Sequence, residues 1–219
     1  PLAGGDAIRL GEGYPGRFSP DGRWVVGVTR PLTGAAELVV IPVEAGRPRR
    51  LPVRGAHVSA PSFAGPSTLL FVRTEKGRSE VWRIETDGTG ARSLGAAGCE
   101  LPMASSSGSS FVCVQGDRAL VLHSMNDGSR RKLHELEDPG EFVHVRWNGT
   151  GDRIFAVTRD RRVLTLDSST GSLLHEEAMP LTAPAEGRLL EAALDADGSI
   201  QAYSVIQKST DLYMASGIR

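Results

Sequence analysis

Phe18-Ser-Pro-Asp-Gly22, Phe63-Ala-Gly-Pro-Ser67, Ala104-Ser-Ser-Ser-Gly108, Trp147-Asn-Gly-Thr-Gly151 and Leu194-Asp-Ala-Asp-Gly198 are five versions of one turn. Their spacing decides the fold. The closing residues 22, 67, 108, 151 and 198 fall 45, 41, 43 and 47 positions apart. Each turn follows a short apolar or mixed segment. Each precedes a β-rich run such as Trp24-Val-Val-Gly-Val28 or Ile154-Phe-Ala-Val157. Pro, Asp, Asn, Ser and Gly each have a backbone reason to reverse a chain. A repeat of about 40–45 residues carrying several short strands is that of a β-propeller blade.

The second repeat reads most clearly. Val58–Phe63 is a short extended segment, and Thr68–Arg73 is a β-rich strand. Glu80-Val-Trp-Arg-Ile84 alternates apolar and polar residues as a half-buried strand does. Asp87-Gly-Thr-Gly90 turns the chain into a short charged strand, Ala91–Leu94. The third strands of the other repeats are Glu37–Ile41, Ala119–Leu122, Arg162–Leu166 and Asp211–Met214. Fourth strands begin at Pro48, Ser129 and Gly171, and their Arg and Lys residues suit exposed sheet edges. The expectation is an all-β chain forming one propeller domain over 1–219, with antiparallel four-stranded blades. The blades fall at about 11–53, 54–98, 99–137, 138–181 and 182–219. The last repeat stops after its third strand, and residues 1–10 read as a fourth strand able to complete it. That would close a five-bladed monomeric ring; the competing expectation is a segment of a larger propeller.

Composition narrows the function classes. The 219 residues are 40% hydrophobic and 23% charged, with a net charge of −1 and 5% aromatics. Neither the basic excess nor the aromatic platforms of a nucleic-acid binder are present. No run approaches the length of a membrane-spanning helix, and the first residues do not read as a secretion signal. Cys99 and Cys113 flank the third turn. They leave two readings open, a disulfide across a hairpin or two buried thiols. Neither has a CxxC partner, so no zinc site is expected.

The Phe18-Ser-Pro-Asp-Gly-Arg23 motif, together with Val81-Trp-Arg-Ile-Glu-Thr-Asp-Gly88, resembles the WD40-like repeats of TolB-type propellers. The likeness covers nearly the whole chain, although the third repeat has drifted to a serine run. Residues 209–219 resemble the end of propellers carried by bacterial membrane-anchored serine/threonine kinases. The resemblance implies a protein- or ligand-binding platform, in the kinase setting a sensor outside the cytoplasm. It supplies no catalytic residues, and no His-Arg-Asp or Asp-Phe-Gly motif of a kinase occurs.

Several motifs have plainer explanations than their patterns suggest. Gly11-Glu-Gly-Tyr-Pro-Gly16 fits a dinucleotide fingerprint but runs into Pro15 and a turn instead of a helix. Asp195-Ala-Asp-Gly198 lacks the first ligand of a calcium loop, and Asn148-Gly-Thr150 occupies the turn slot. The histidines, His57, His123, His134, His144 and His175, have no metal-binding spacing. In a propeller, however, the segments before the turns are innermost. Arg17, His57, His144, Arg146 and Glu191 are therefore the candidates to face a central channel. Charge-assisted hydrogen bonds there would suit a small anionic ligand or a peptide carboxylate; the alternative is a hydrated channel. The expectation is a non-catalytic binding module with a protein, peptide or small anionic partner and no cofactor or metal. Two alternatives remain open. One is a five-bladed glycoside hydrolase, for which the inner segments offer Glu100 and Glu191. The other is the gating propeller of a prolyl-oligopeptidase-type peptidase.

Overall fold

The computed structural model describes residues 14–29, 36–53, 57–179, 188–195 and 197–206. Strands β1 (Tyr14–Phe18), β2 (Trp24–Thr29), β3 (Glu37–Pro42) and β4 (Arg49–Leu51) make the first sheet. The second contains β5 (His57–Phe63), β6 (Thr68–Glu75), β7 (Arg78–Glu85) and β8 (Arg92–Ala97). The third contains β9 (Cys99–Ala104), β10 (Ser110–Gln115), β11 (Ala119–Ser124) and β12 (Arg130–Glu135). The fourth contains β13 (Phe142–Trp147), β14 (Arg153–Thr158), β15 (Arg162–Asp167) and β16 (Leu173–Ala178). A fifth sheet pairs β17 (Arg188–Leu194) with β18 (Ile200–Ile206). Every pairing is antiparallel and between consecutive strands, and the first strands of successive sheets contact one another. This is a propeller arrangement. Where five four-stranded blades were expected, the described residues form four, with a two-stranded fifth sheet. The expected strands at 1–10 and Asp211–Met214 lie outside the described residues.

The second strands are continuous apolar runs because both of their faces are buried. In β6, Leu69 and Phe71 pack toward the first sheet while Leu70 packs toward the third. In β10, Phe111 and Cys113 face the second sheet, and Val112 and Val114 face the fourth. In β14, Ile154 and Ala156 face back to the third sheet, and Phe155 and Val157 face on to the fifth. The period-two alternation of strand side chains thus distributes each run between two blade interfaces. Burial of each large side chain contributes about 1.5–3 kcal/mol. Cys99 and Cys113 are joined as a disulfide within the third sheet.

The arginines of the fourth strands do more than protect an edge. Arg49 on β4 donates to the Thr86 carbonyl at 3.0 Å, and Arg131 on β12 to the Ser168 carbonyl at 3.2 Å. In both cases the acceptor lies just after the third strand of the following blade. Such ties hold blade to blade at the rim. In the adjoining turns Asp87, Asp127 and Asp167 accept the backbone N–H groups of Thr89, Ser129 and Ser169. The Asp195 carboxylate likewise accepts from Ser199 N at 3.1 Å, which makes that loop a turn. Asn148 serves its turn too, its side-chain oxygen accepting from Gly151 N at 2.9 Å. Gly16 lies in a strand, β1, so the 11–16 pattern opens no helix.

Candidate functional site

The first strand of every sheet carries an extra residue at one point against its partner, although on β17 a second shift between Ala193 and Leu194 places an extra residue on β18. On β1 three steps from Pro15 to Phe18 face two on β2; Ser59 to Ser62 on β5 and Glu100 to Met103 on β9 do the same. On β13 and β17 the extra residue lies between Phe142 and His144 and between Leu189 and Glu191. A β-bulge bends its strand and re-aims the side chains beside it. Repeated from sheet to sheet, these bulges wall a cavity of about 470 Å³ to which the first strands of all five sheets contribute. Ala60 and Leu101, each preceding a proline, hold φ values of 47° and 49° at their bulges. Gly16 fits because a Cβ there would meet the Val26 carbonyl at 2.8 Å and Pro61 at 2.9 Å.

Most of the wall is small and apolar, from Ala60, Pro61, Pro102, Ala192 and Ala193. Its charged and titratable element is the pair Arg17 and His144, brought together across 127 positions of sequence. Arg17 Nη2 lies 3.2 Å from His144 Nδ1. A guanidinium has only donors, so Nδ1 accepts and the neutral ring carries its proton on Nε2. His144 is 4% exposed, and its Nε2 has no hydrogen-bond partner among the described residues. Burial, reinforced by the charges of Arg17 and Arg146, holds its pKa down to about 3. The cavity wall therefore carries a guanidinium beside a neutral imidazole whose Nε2–H is buried and has no partner among the described residues.

The other candidates fall elsewhere. His57 lies at the exposed start of β5, outside the cavity wall that begins at Val58. Arg146 turns its guanidinium to the Leu194 carbonyl and ties the fourth sheet to the fifth. Glu191 stands on β17 opposite Ser204, and its side chain lies outside the described residues. Glu100 is exposed on β9 and does not line the cavity. Sequence reading missed the bulge residues Ala60, Pro61, Leu101 and Pro102. The Ser59-Ala-Pro and Glu100-Leu-Pro segments were the available signal, since proline inside a strand marks a bulge or an edge. Two neighbouring bonds link the inner strands, Ser62 Oγ to the Pro102 carbonyl at 2.6 Å and Trp147 Nε1 to the Met103 carbonyl at 2.9 Å.

No protein-family profile matches the chain, and neither does any curated protein sequence. Solved structures do match, and they include TolB-type and WD40-like β-propellers. TolB from Acinetobacter baumannii superposes with a TM-score of 0.61 at 16% identity, over 85% of this chain and 52% of that one. The Myceliophteria thermophila Cps50 (Swd1) β-propeller domain gives 0.57 at 15% identity, over 88% and 62%. An oligogalacturonate lyase in complex with manganese gives 0.59 at 14% identity, over 84% and 56%. The chain thus spans about half the length of the TolB it resembles. At such identities the likeness speaks to fold, and it includes an enzyme as well as propellers not named as enzymes.

Proposed function

We propose that this chain is a non-catalytic binding propeller whose channel takes a carboxylate, either a peptide C-terminus or a small organic anion. The Arg17–His144 pair carries the proposal. The Arg17 guanidinium, held beside a neutral buried imidazole, is complementary to a carboxylate, and the small apolar wall leaves room for an extended peptide end or a compact acid. Glu100, one of the two carboxylates a glycosidase would need, stands away from the cavity, which favours binding over hydrolysis. The disulfide fits a place outside the cytoplasm, since such bonds persist in oxidising compartments. A sensor or scaffold role within a larger signalling protein, such as a membrane-anchored serine/threonine kinase, accords with the resemblance of residues 209–219.

The test is a titration with short Ala/Gly peptides bearing free or amidated C-termini, followed by amide NMR. Free carboxylates should shift Gly16, Ala60 and His144, and binding should weaken about tenfold or more in Arg17→Gln, as expected of a charged hydrogen bond. Equal binding of the amidated peptides, or shifts confined to the rim, would refute the proposal.

We propose also that the fifth sheet is completed to four strands. Leu51, Ala96 and Leu133, on the fourth strands of the first three blades, are each buried against the next blade. No residue of β16 is buried, and Leu173 and Leu174 are 44% and 53% exposed. Two exposed leucines on an outer strand call for a covering blade. Hydrogen exchange on residues 6–10 reports whether the N-terminal segment supplies a strand; unprotected amides there would reject that closure.

A further inference from the structure

A second site lies between the second and third blades. Cys99 on β9, Cys113 on β10 and His123 on β11 are all buried, and their donor atoms lie within 4.8 Å of one another. His123 Nε2 stands 3.4 Å from Cys99 Sγ. Its ring is fixed by parallel stacking on Phe111, with centroids 4.9 Å apart. The surrounding cluster is apolar, with Ala64, Leu70, Val81 and Ala96 opposite. A disulfide in such a place has no need of an imidazole. Burying a polar ring is costly, and a sulfur is a weak acceptor that returns little of that cost. The donor set itself, two sulfurs and an imidazole nitrogen converging on one point, is the set that thiophilic metal ions select.

We propose that Cys99, Cys113 and His123 form a redox-gated site that binds one thiophilic metal ion when the disulfide is reduced. The oxidised pair is a staple between β9 and β10; the reduced pair with His123 is a three-donor ligand set. Reduction by a phosphine consumes water and gives the phosphine oxide and two thiols. Binding of the ion then displaces the two thiol protons and forms two metal–sulfur bonds and one metal–nitrogen bond. Two arguments bear on the ion. Zn²⁺ with two thiolates and a neutral imidazole leaves no net charge in an apolar interface, whereas three donors match the low coordination of Cu⁺. Because both cysteines are inaccessible in the folded state, the metal state is set during folding or blade opening.

The test refolds the chain anaerobically with a phosphine and adds Co²⁺, as the spectroscopic stand-in for Zn²⁺, or Cu⁺ in a separate arm. The expected result is a thiolate-to-metal charge-transfer band saturating at one ion per chain, release of two protons, and a raised Tm of the reduced protein. The arm that saturates identifies the ion. His123→Gln should weaken binding at least about tenfold, by loss of one of three ligands, while still forming the disulfide on oxidation. Cys99→Ser should abolish the band. No uptake in either arm, or equal affinity in His123→Gln, overturns the site. A His123→Gln chain that fails to fold is replaced by His123→Phe, judged by the same titration.

Discussion

Replacing His144 by Gln tests whether the channel imidazole is held neutral by its surroundings. Gln preserves an acceptor for Arg17 while removing the titration. In the native chain burial comes first, then Arg17 and Arg146, in pulling the His144 pKa down to about 3. In the unfolded chain it titrates near 6.5. Between those values the unfolded state holds a proton that the native state lacks. Stability is therefore complete above about pH 6.5 and falls as pH is lowered toward about 3, with a slope near 1.4 kcal/mol per unit once the unfolded histidine is fully charged. From about pH 6 to about 4.5 the His144 share of the loss comes to roughly 2 kcal/mol. His123 and His134, also pulled down by burial, tilt the curve the same way in both proteins. The turn carboxylates Asp127, Asp167 and Asp197, held at about 2, stay charged throughout. The discriminating quantity is thus the difference between two urea-unfolding series across this window. A variant whose stability falls with acid as steeply as the parent, or an NMR titration of His144 near its unfolded value, would refute the reasoning and with it the assignment of Nε2 as a donor.

Three further outcomes follow from single contacts. Gly171 and Gly128 hold φ values of 80° and 71° in equivalent turns, yet a Cβ at 171 would lie 2.3 Å from the Leu133 carbonyl oxygen, while one at 128 meets nothing within 4 Å. Gly128→Ala should cost about 1 kcal/mol and Gly171→Ala at least about 3, read as Tm losses of roughly 2–4 °C per kcal/mol; equal losses would reject the close blade approach. Trp147→Phe strands the Met103 carbonyl between two inner strands and should cost about 1–3 kcal/mol in urea unfolding. Ala60→Gly relieves the left-handed backbone at the β5 bulge and should stabilise by about 0.5 kcal/mol, the relief being partly offset by the freer unfolded chain; destabilisation would show that φ at 60 is not positive in solution.

The fold was legible because its signal is periodic. The turn residues recur every blade, and the apolar runs of β2, β6, β10 and β14 are those of strands covered on both faces. Strand order followed from repeat order alone. The basic outer strands were read only halfway: sequence placed Arg49 and Arg131 at an edge, but their carbonyl partners lie 37 residues downstream, and no local pattern marks a bond to the next blade.

The site was legible in kind and not in membership. Arg17 and His144, read from the sequence as innermost, both line the cavity between the first strands. What sequence did not specify was the extra residue in each inner strand, and that residue decides which side chains face inward. A one-residue change of register moves a side chain to the opposite face. His57 sits at the exposed start of β5, one residue before the cavity lining begins, and Arg146 was drawn away to Leu194 on the adjoining strand. The Arg17–His144 contact spans 127 positions, and the Cys99–Cys113–His123 cluster draws on three strands at irregular spacing. Both depend on how bulges and blade contacts place neighbouring strands, which spacing along one chain does not encode. The chemistry of a propeller therefore has to be sought where strands from different repeats, or different registers of one repeat, converge, and here the two places of convergence are the channel and the interface of blades two and three.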